Sequence, residues 1–273
     1  MLAPRSHDKL VEIEGVPQRR SLAVALRRAQ RSMLDLFLPP VCLGCEQRLT
    51  EHDALCPACW RKIDFIRAPL CDRLGAPLPY DTGGVMLSAA AIANPPDYGR
   101  ARAVACFDGL MRDLIHALKF SDTHDARRLF GRWLANAGED LLRDADILMP
   151  VPLAWSRLLS RRYNQAQILA QATGELCGLP VFSQALIRQR RTGAQVGLTR
   201  AARRRNVSGA FVVPPAARHA IAGKAIVLVD DVITTGATAS AAARALRRAG
   251  ARSVDVLALA IVTEHGHIAK FYL

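Results

Sequence analysis

At 273 residues the chain is long enough for one sizeable core and a small module besides, and its 51% apolar content excludes a disordered or collagen-like polymer. No uninterrupted apolar run reaches membrane-span length and no apolar signal core opens the chain, so a cytoplasmic protein without a membrane span is expected. The 37 Lys and Arg residues against 24 Asp and Glu leave a net charge of +13, which favours an anionic partner such as a nucleotide, pyrophosphate or nucleic acid.

In chain order, residues 1–35 divide into a polar tail without period and the start of an amphipathic helix. From Ser21 the spacing Leu22, Leu26, Ala29, Met33, Leu34, Phe37 marks one helical face, Arg27, Arg28 and Arg31 lie off it, and Pro39-Pro40 stops it. Such a face suits packing onto the next module better than a membrane surface. Residues 36–80 carry Cys42-x-x-Cys45 and, after ten intervening residues, Cys56-x-x-Cys59. Two such knuckles supply the four thiolates zinc prefers, and so short a segment needs the metal to be stable. Redox pairs or disulfides are the competing uses, disfavoured in a cytosolic chain without a thioredoxin pattern. Four cysteines fill the coordination sphere, so the zinc is expected to be structural. Cys71 opens half of another knuckle, but Leu74 stands where its partner would be. Residues 81–97 read as a linker, with Gly83-Gly84 and Pro95-Pro96 bracketing an apolar run, Val85 to Ala93, of strand or short-helix character.

Residues 98–273 alternate strand and helix patterns. Ala103 to Phe107 reads as a strand, Leu110, Leu114, Ile115 and Leu118 as an amphipathic helix with His116 and Lys119, and Arg127 to Leu142 as a second helix. Cys106 and Cys177, in apolar surroundings, read as small core residues. Asp146 to Leu153 is a buried strand closing in the turn Pro150-Val151-Pro152-Leu153. Ser160 to Gln165 opens a helix that runs to about Cys177 and is ended by Gly178-Leu179-Pro180. Arg188 to Asn206 is a basic arm, helical only over Thr199 to Arg205, and Asn206 to Val213 resumes strand character. Between Glu175 and Asp230 there is no carboxylate but nine basic residues, which fits either an anion-binding arm or an Arg-rich solvated surface. The alternation implies an α/β fold, a mostly parallel sheet with helices on both faces.

The most informative stretch is Val227-Leu228-Val229-Asp230-Asp231-Val232-Ile233-Thr234-Thr235-Gly236-Ala237-Thr238. An apolar strand presents two carboxylates at its tip, then a Gly/Thr turn, then an Ala-rich helix from Ala239 to Arg248. Loop N–H groups and the helix dipole favour a phosphate, and the acids can accept hydrogen bonds from sugar hydroxyls.

This stretch resembles the phosphoribosyl-pyrophosphate signature of type I phosphoribosyltransferases. With the four cysteines, Leu118-Lys119-Phe120, Pro150-Val151-Pro152-Leu153, Arg162-Tyr163-Asn164-Gln165 and the arm from Arg188 to Asn206, the order over Leu34 to Ile261 is similar to that of ComF-type proteins. In that family a zinc ribbon precedes a phosphoribosyltransferase-like domain, with links to competence and uptake of single-stranded DNA. The family usually has Gly-Phe where this chain has Arg162-Tyr163.

The resemblance implies that Asp230 and Asp231 orient a ribose and that Thr234, Thr235, Gly236, Ala237 and Thr238 hold its 5′-phosphate. It further implies that Val151 and Pro152 meet a Mg2+-bound pyrophosphate, that Lys119 meets an anion, and that Arg190 and Arg191 close over the leaving group. Thr234 stands where purine-salvage relatives carry an acid that serves as base, and a threonine removes no proton at neutral pH. The implied function is phosphoribosyl transfer to an acceptor the sequence does not name. The alternative is a non-catalytic accessory of DNA uptake that binds single-stranded DNA or docks a competence-machinery protein through its ribbon.

Overall fold

The computed structural model describes residues 39–120, 125–153, 163–189 and 200–263. The expected N-terminal tail and most of its helix, together with Arg190 and Arg191, lie outside the described residues. Pro40 ends one compact unit, and Val41 to Leu273 forms a second; only the second is described below.

It opens with two successive knuckles of the same design. In the first, Cys42 N–H donates to the Gln47 carbonyl and Glu46 N–H to that of Cys42. In the second, Cys71 N–H donates to the Ala76 carbonyl and Gly75 N–H to that of Cys71. The fifth residue of each knuckle is left-handed, Glu46 at φ 60° and Gly75 at φ 71°. Each knuckle is matched by a short helix, α1 (Pro57–Trp60) for the first and α2 (Ala89–Ala93) for the second. Their N-caps, Cys56 and Ser88, each accept from the N–H three residues on, and the backbone N–H of each donates to the knuckle cysteine, both at 3.2 Å. Cys71, Leu74, Ser88 and Ala91 therefore occupy the places of Cys42, Cys45, Cys56 and Cys59. Half of a knuckle is all that the sequence around Cys71 suggests; the structure completes it from Ser88 to Ala91.

The larger part runs β1 (Ala101–Cys106), α3 (Gly109–Phe120), α4 (Asp125–Ala137), α5 (Glu139–Arg143), β2 (Ile147–Pro150), α6 (Gln165–Cys177), β3 (Ile187–Arg188), α7 (Arg200–Val207), β4 (Phe211–Val212), α8 (Pro215–Ile221), β5 (Ala225–Ile233), α9 (Ala237–Arg248) and β6 (Ser253–Ile261). Four strands pair in the order β1-β6-β5-β2, all parallel. A parallel sheet is covered on both faces, which is why β5 is apolar at successive positions. Ile226 and Leu228 feed one core with α9, and Val227 and Val229 feed the other with α4 and α6. Alanines 239, 242 and 243 on the buried face of α9 let its backbone lie close to the sheet. The first ribbon lies along β1, where Ile66 N–H donates to the Val104 carbonyl and Cys106 N–H to that of Asp64. Its Trp60 and Phe65 rings pack on Trp133 of α4 at 5.7 and 5.3 Å between centroids.

Four local expectations are revised. The helix expected over Arg127 to Leu142 breaks at Gly138, whose N–H ends α4 on the Leu134 carbonyl and whose own carbonyl receives Leu141 N–H to start α5. The strand expected over Asn206 to Val213 shrinks to Phe211–Val212, because the Arg-rich helix continues to Val207 and Gly209, at φ 65°, turns the chain. Cys177 is exposed at the end of α6, whereas Cys106 is buried at 8% exposure. Asp230 and Asp231 lie inside β5, which runs on to Ile233.

Candidate functional site: a cysteine cluster and an anion loop

The four cysteines of the first ribbon converge, their sulfurs all within 4.8 Å of one another. The Cys45–Cys56 Sγ separation of 3.7 Å matches the edge of about 3.8 Å that a tetrahedron of sulfurs bound to zinc at about 2.3 Å requires. Burial opposes ionisation of Cys42, but N–H groups of Cys56, Gly44 and Cys45 outweigh it and bring the thiol down to about 6. Burial, then the thiols of Cys45, Cys56 and Cys42, push Cys59 up to about 12. The sulfurs cannot all carry charge so close together without a cation, and a dication is what this donor set fits. Among the described residues no other such cluster of His, Cys, Asp or Glu occurs.

The second site is at the carboxyl ends of β2 and β5. Pro150 is in register with Val229, and Val151 N–H donates to the Val229 carbonyl at 2.9 Å. The Val151-Pro152 turn therefore lies beside Asp230, although 79 residues separate them in sequence. Asp230 and Asp231 are half-buried, and each turns one oxygen back to the next N–H, at 2.9 and 2.8 Å. Thr234 is exposed, and Thr235 Oγ1 is buried with no hydrogen-bond partner among the described residues. Gly236 is the N-cap of α9 at φ 70°, and no side chain caps the helix there. That backbone is left-handed, and a Cβ on it would also meet Tyr98 Oη at 3.0 Å, so glycine is required twice over. Left-handed turn, uncapped helix start and orphaned hydroxyl leave N–H and O–H donors of the kind that anions engage at helix starts.

Asn164, which sequence reasoning assigned no role of its own, ties the two turns of the mouth. Its Nδ2 donates to the Val151 carbonyl at 3.2 Å while its Oδ1 caps α6 through Ala166 N–H at 3.1 Å. The signal was an Asn at a helix start directly after a loop. Beside this turn opens a cleft of about 950 Å³, lined among others by Pro152, Leu153, Asn164, Phe182, Arg188 and Ala217. The backbone of Lys119 is the penultimate residue of α3, but its side chain lies outside the described residues. Arg188 is placed over the Phe211 ring, 5.5 Å from its centroid. No described helix is long and apolar enough to cross a membrane.

Residues 33–91 match the family described as a double zinc ribbon domain, and residues 167–268 match the phosphoribosyl transferase domain. The "DNA utilization protein YhgH" of Salmonella typhimurium is 31% identical over 231 residues, 82% of this chain and 98% of that protein. The "Competence protein F" of Haemophilus influenzae is 28% identical over 80% of this chain and 96% of that protein. The chain belongs to the ComF family. Its architecture is that of a ComF-type protein, a zinc ribbon joined to an α/β domain of type I phosphoribosyltransferase fold. An "Adenine phosphoribosyltransferase" of Streptomyces galbus is 30% identical over 47% of this chain and 74% of its own length.

Proposed function

We propose that this ComF-type protein binds phosphoribosyl pyrophosphate with Mg2+ at the mouth of β2 and β5 and transfers its phosphoribosyl group to an acceptor nitrogen. The observation that carries the reading is the register of Pro150 with Val229, which sets the Val151-Pro152 turn beside Asp230 on the strand that leads through Asp231 to the loop of Gly236. The loop from Thr234 to Thr238 holds the 5′-phosphate through its N–H groups and the start of α9. Asp230 and Asp231 accept from the ribose hydroxyls and hold C1′ toward the turn. As the bond from C1′ to pyrophosphate breaks, the turn and the arginines of the arm, Arg190 and Arg191, take up the negative charge that develops. Oxocarbenium character at C1′ is quenched by the acceptor's nitrogen lone pair, which forms the new bond. Mg2+ fits the carboxylate and phosphate oxygens available here, and when bound would neutralise part of the leaving group's charge. Thr234 supplies no base, so the acceptor attacks without losing a proton to that position; this argues against a purine acceptor activated as salvage enzymes do.

The test is calorimetry with phosphoribosyl pyrophosphate and Mg2+, followed by pyrophosphate release against a panel of bases and nucleotides. The double substitution Asp230→Asn and Asp231→Asn is expected to abolish binding while zinc content and helicity hold; affinity that survives it sinks the reading.

A second reading has support from the relatives named for DNA utilization and competence and from the charge of +13. In it the basic arm contacts single-stranded DNA. Replacing Arg203, Arg204 and Arg205 by Ala then weakens binding and flattens its salt dependence by roughly 0.7 log-log units per lost phosphate contact. An unmoved filter-binding curve excludes those arginines. The division into ribbon (36–80), linker (81–97) and transferase-like domain (98–273) is also part of the proposal, with the linker's Ser88 to Ala93 folded back onto the Cys71 knuckle, and limited proteolysis between the last two checks it.

A further inference from the structure

The segment Pro96-Asp97-Tyr98, which follows the second ribbon in the chain, touches the anion loop and its helix from outside the sheet. Its first residue is held by that ribbon: Arg73, inside the second knuckle, donates from Nη2 to the Pro96 carbonyl at 2.8 Å. The knuckle itself is anchored on β1. The Arg102 guanidinium donates to the Asp72 carbonyl at 3.0 Å and to its carboxylate at 2.7 Å, and a Cβ on Gly75 would lie 2.6 Å from the Ala101 carbonyl oxygen. Asp97 engages α9 twice. Its N–H donates to Ser240 Oγ at 3.3 Å, and its carboxylate pairs with Arg244. Tyr98 is buried to 2% exposure in the same core as Ala237 and Ala239, with its Oη against Gly236. Gly99 N–H then donates to the Val254 carbonyl at 2.8 Å and joins the brace to the sheet.

The sheet fixes where β5 ends, but it does not by itself fix the left-handed turn at Gly236. A residue at positive φ whose helix has no side-chain cap is free to relax unless neighbouring groups hold it. Here the neighbours are the Tyr98 ring on one side and Asp97 on the first turns of the helix.

We infer that Tyr98 and Asp97 are positioning residues for the anion loop, held in place by the second ribbon through Arg73, so that a ribbon without a metal cluster sets the geometry of the phosphate site. Neither residue needs to touch the ligand. The inference rests on the anion-loop reading for its binding arm only; its conformational arm needs no ligand.

The experiment is hydrogen exchange by mass spectrometry on the full chain without ligand, with calorimetry against Mg2+ and phosphoribosyl pyrophosphate in parallel. Tyr98→Ala is expected to raise exchange of the amides from Thr235 to Ser240 by about tenfold and to leave Ile226 to Val229 and Val254 to Leu259 unchanged. Arg73→Ala, which removes the ribbon's hydrogen bond to the Pro96 carbonyl, raises the same amides by a smaller factor, as does Asp97→Asn. Tyr98→Phe keeps the ring on Gly236 and restores wild-type exchange. In calorimetry Tyr98→Ala weakens binding about tenfold and Tyr98→Phe rescues it. Exchange at the loop that is unmoved in Arg73→Ala and Asp97→Asn, or that rises equally throughout the sheet, overturns the inference. Should wild type bind no phosphoribosyl pyrophosphate while the exchange pattern holds, the functional reading falls and the brace stands.

Discussion

The two ribbons are built on one backbone plan and differ in what holds them. In the first, four sulfurs meet within 4.8 Å, and three of the four cysteines are buried. In the second, the same places hold Cys71, Leu74, Ser88 and Ala91, and the hydrogen bonds of the knuckle persist without that donor set. Both are docked on their neighbours, the first along β1 and on Trp133, the second through Arg102 to Asp72 and Arg73 to Pro96. The second knuckle keeps its fold with docking contacts and no four-cysteine set. The difference also assigns labour, since the ribbon that lacks a cysteine cluster is the one joined to the anion loop.

The largest break in this comparison is Cys59→Ser. Zinc in such a site contributes folding free energy directly, on the order of 10 kcal/mol in isolated zinc-finger peptides, so bound zinc measured by plasma mass spectrometry is expected to fall to near zero. Protease sensitivity of the first ribbon rises with it. Next in size is a gain: Leu74→Cys, Ser88→Cys and Ala91→Cys together restore the donor set around Cys71, and zinc per chain is expected to double. Failure to double shows that the second knuckle is no longer open to a metal. Cys71→Ser keeps a hydrogen-bonding atom for Ser88 N–H and is expected to cost about 1–2 kcal/mol in denaturant melts with zinc content unchanged. Smallest is Ser88→Ala, loss of one N-cap at about 1 kcal/mol, visible as a shift in melting midpoint. If Ser88→Ala instead releases zinc, the two ribbons are not separate in the way their ligands suggest.

Much of the site was legible because its signals are local. The pairs Cys42-x-x-Cys45 and Cys56-x-x-Cys59 state a ligand set by type and spacing, and Asp230-Asp231 followed by Thr234 to Thr238 states a strand, a turn and a helix start, although the strand runs past the acids to Ile233. The second ribbon was legible only to Cys71 and Leu74. Its other half, Ser88 to Ala91, shares no ligand with Cys56 to Cys59 and resembles it only in capping a helix, a property of backbone geometry. The end of the Arg-rich helix at Val207 was misplaced for a similar reason, since Gly209 turns the chain just where the apolar residues begin.

By itself the sequence determined the metal-ligand set, the parallel α/β alternation and the acids on their strand, because each depends on residue type within a few positions. Only the tertiary structure decided which distant segments meet. Val151 lies by Asp230 through the pairing of β2 with β5, and Tyr98 reaches Gly236 because the second ribbon is docked on β1. Contacts across so many residues follow from strand order and close packing, which no local spacing encodes.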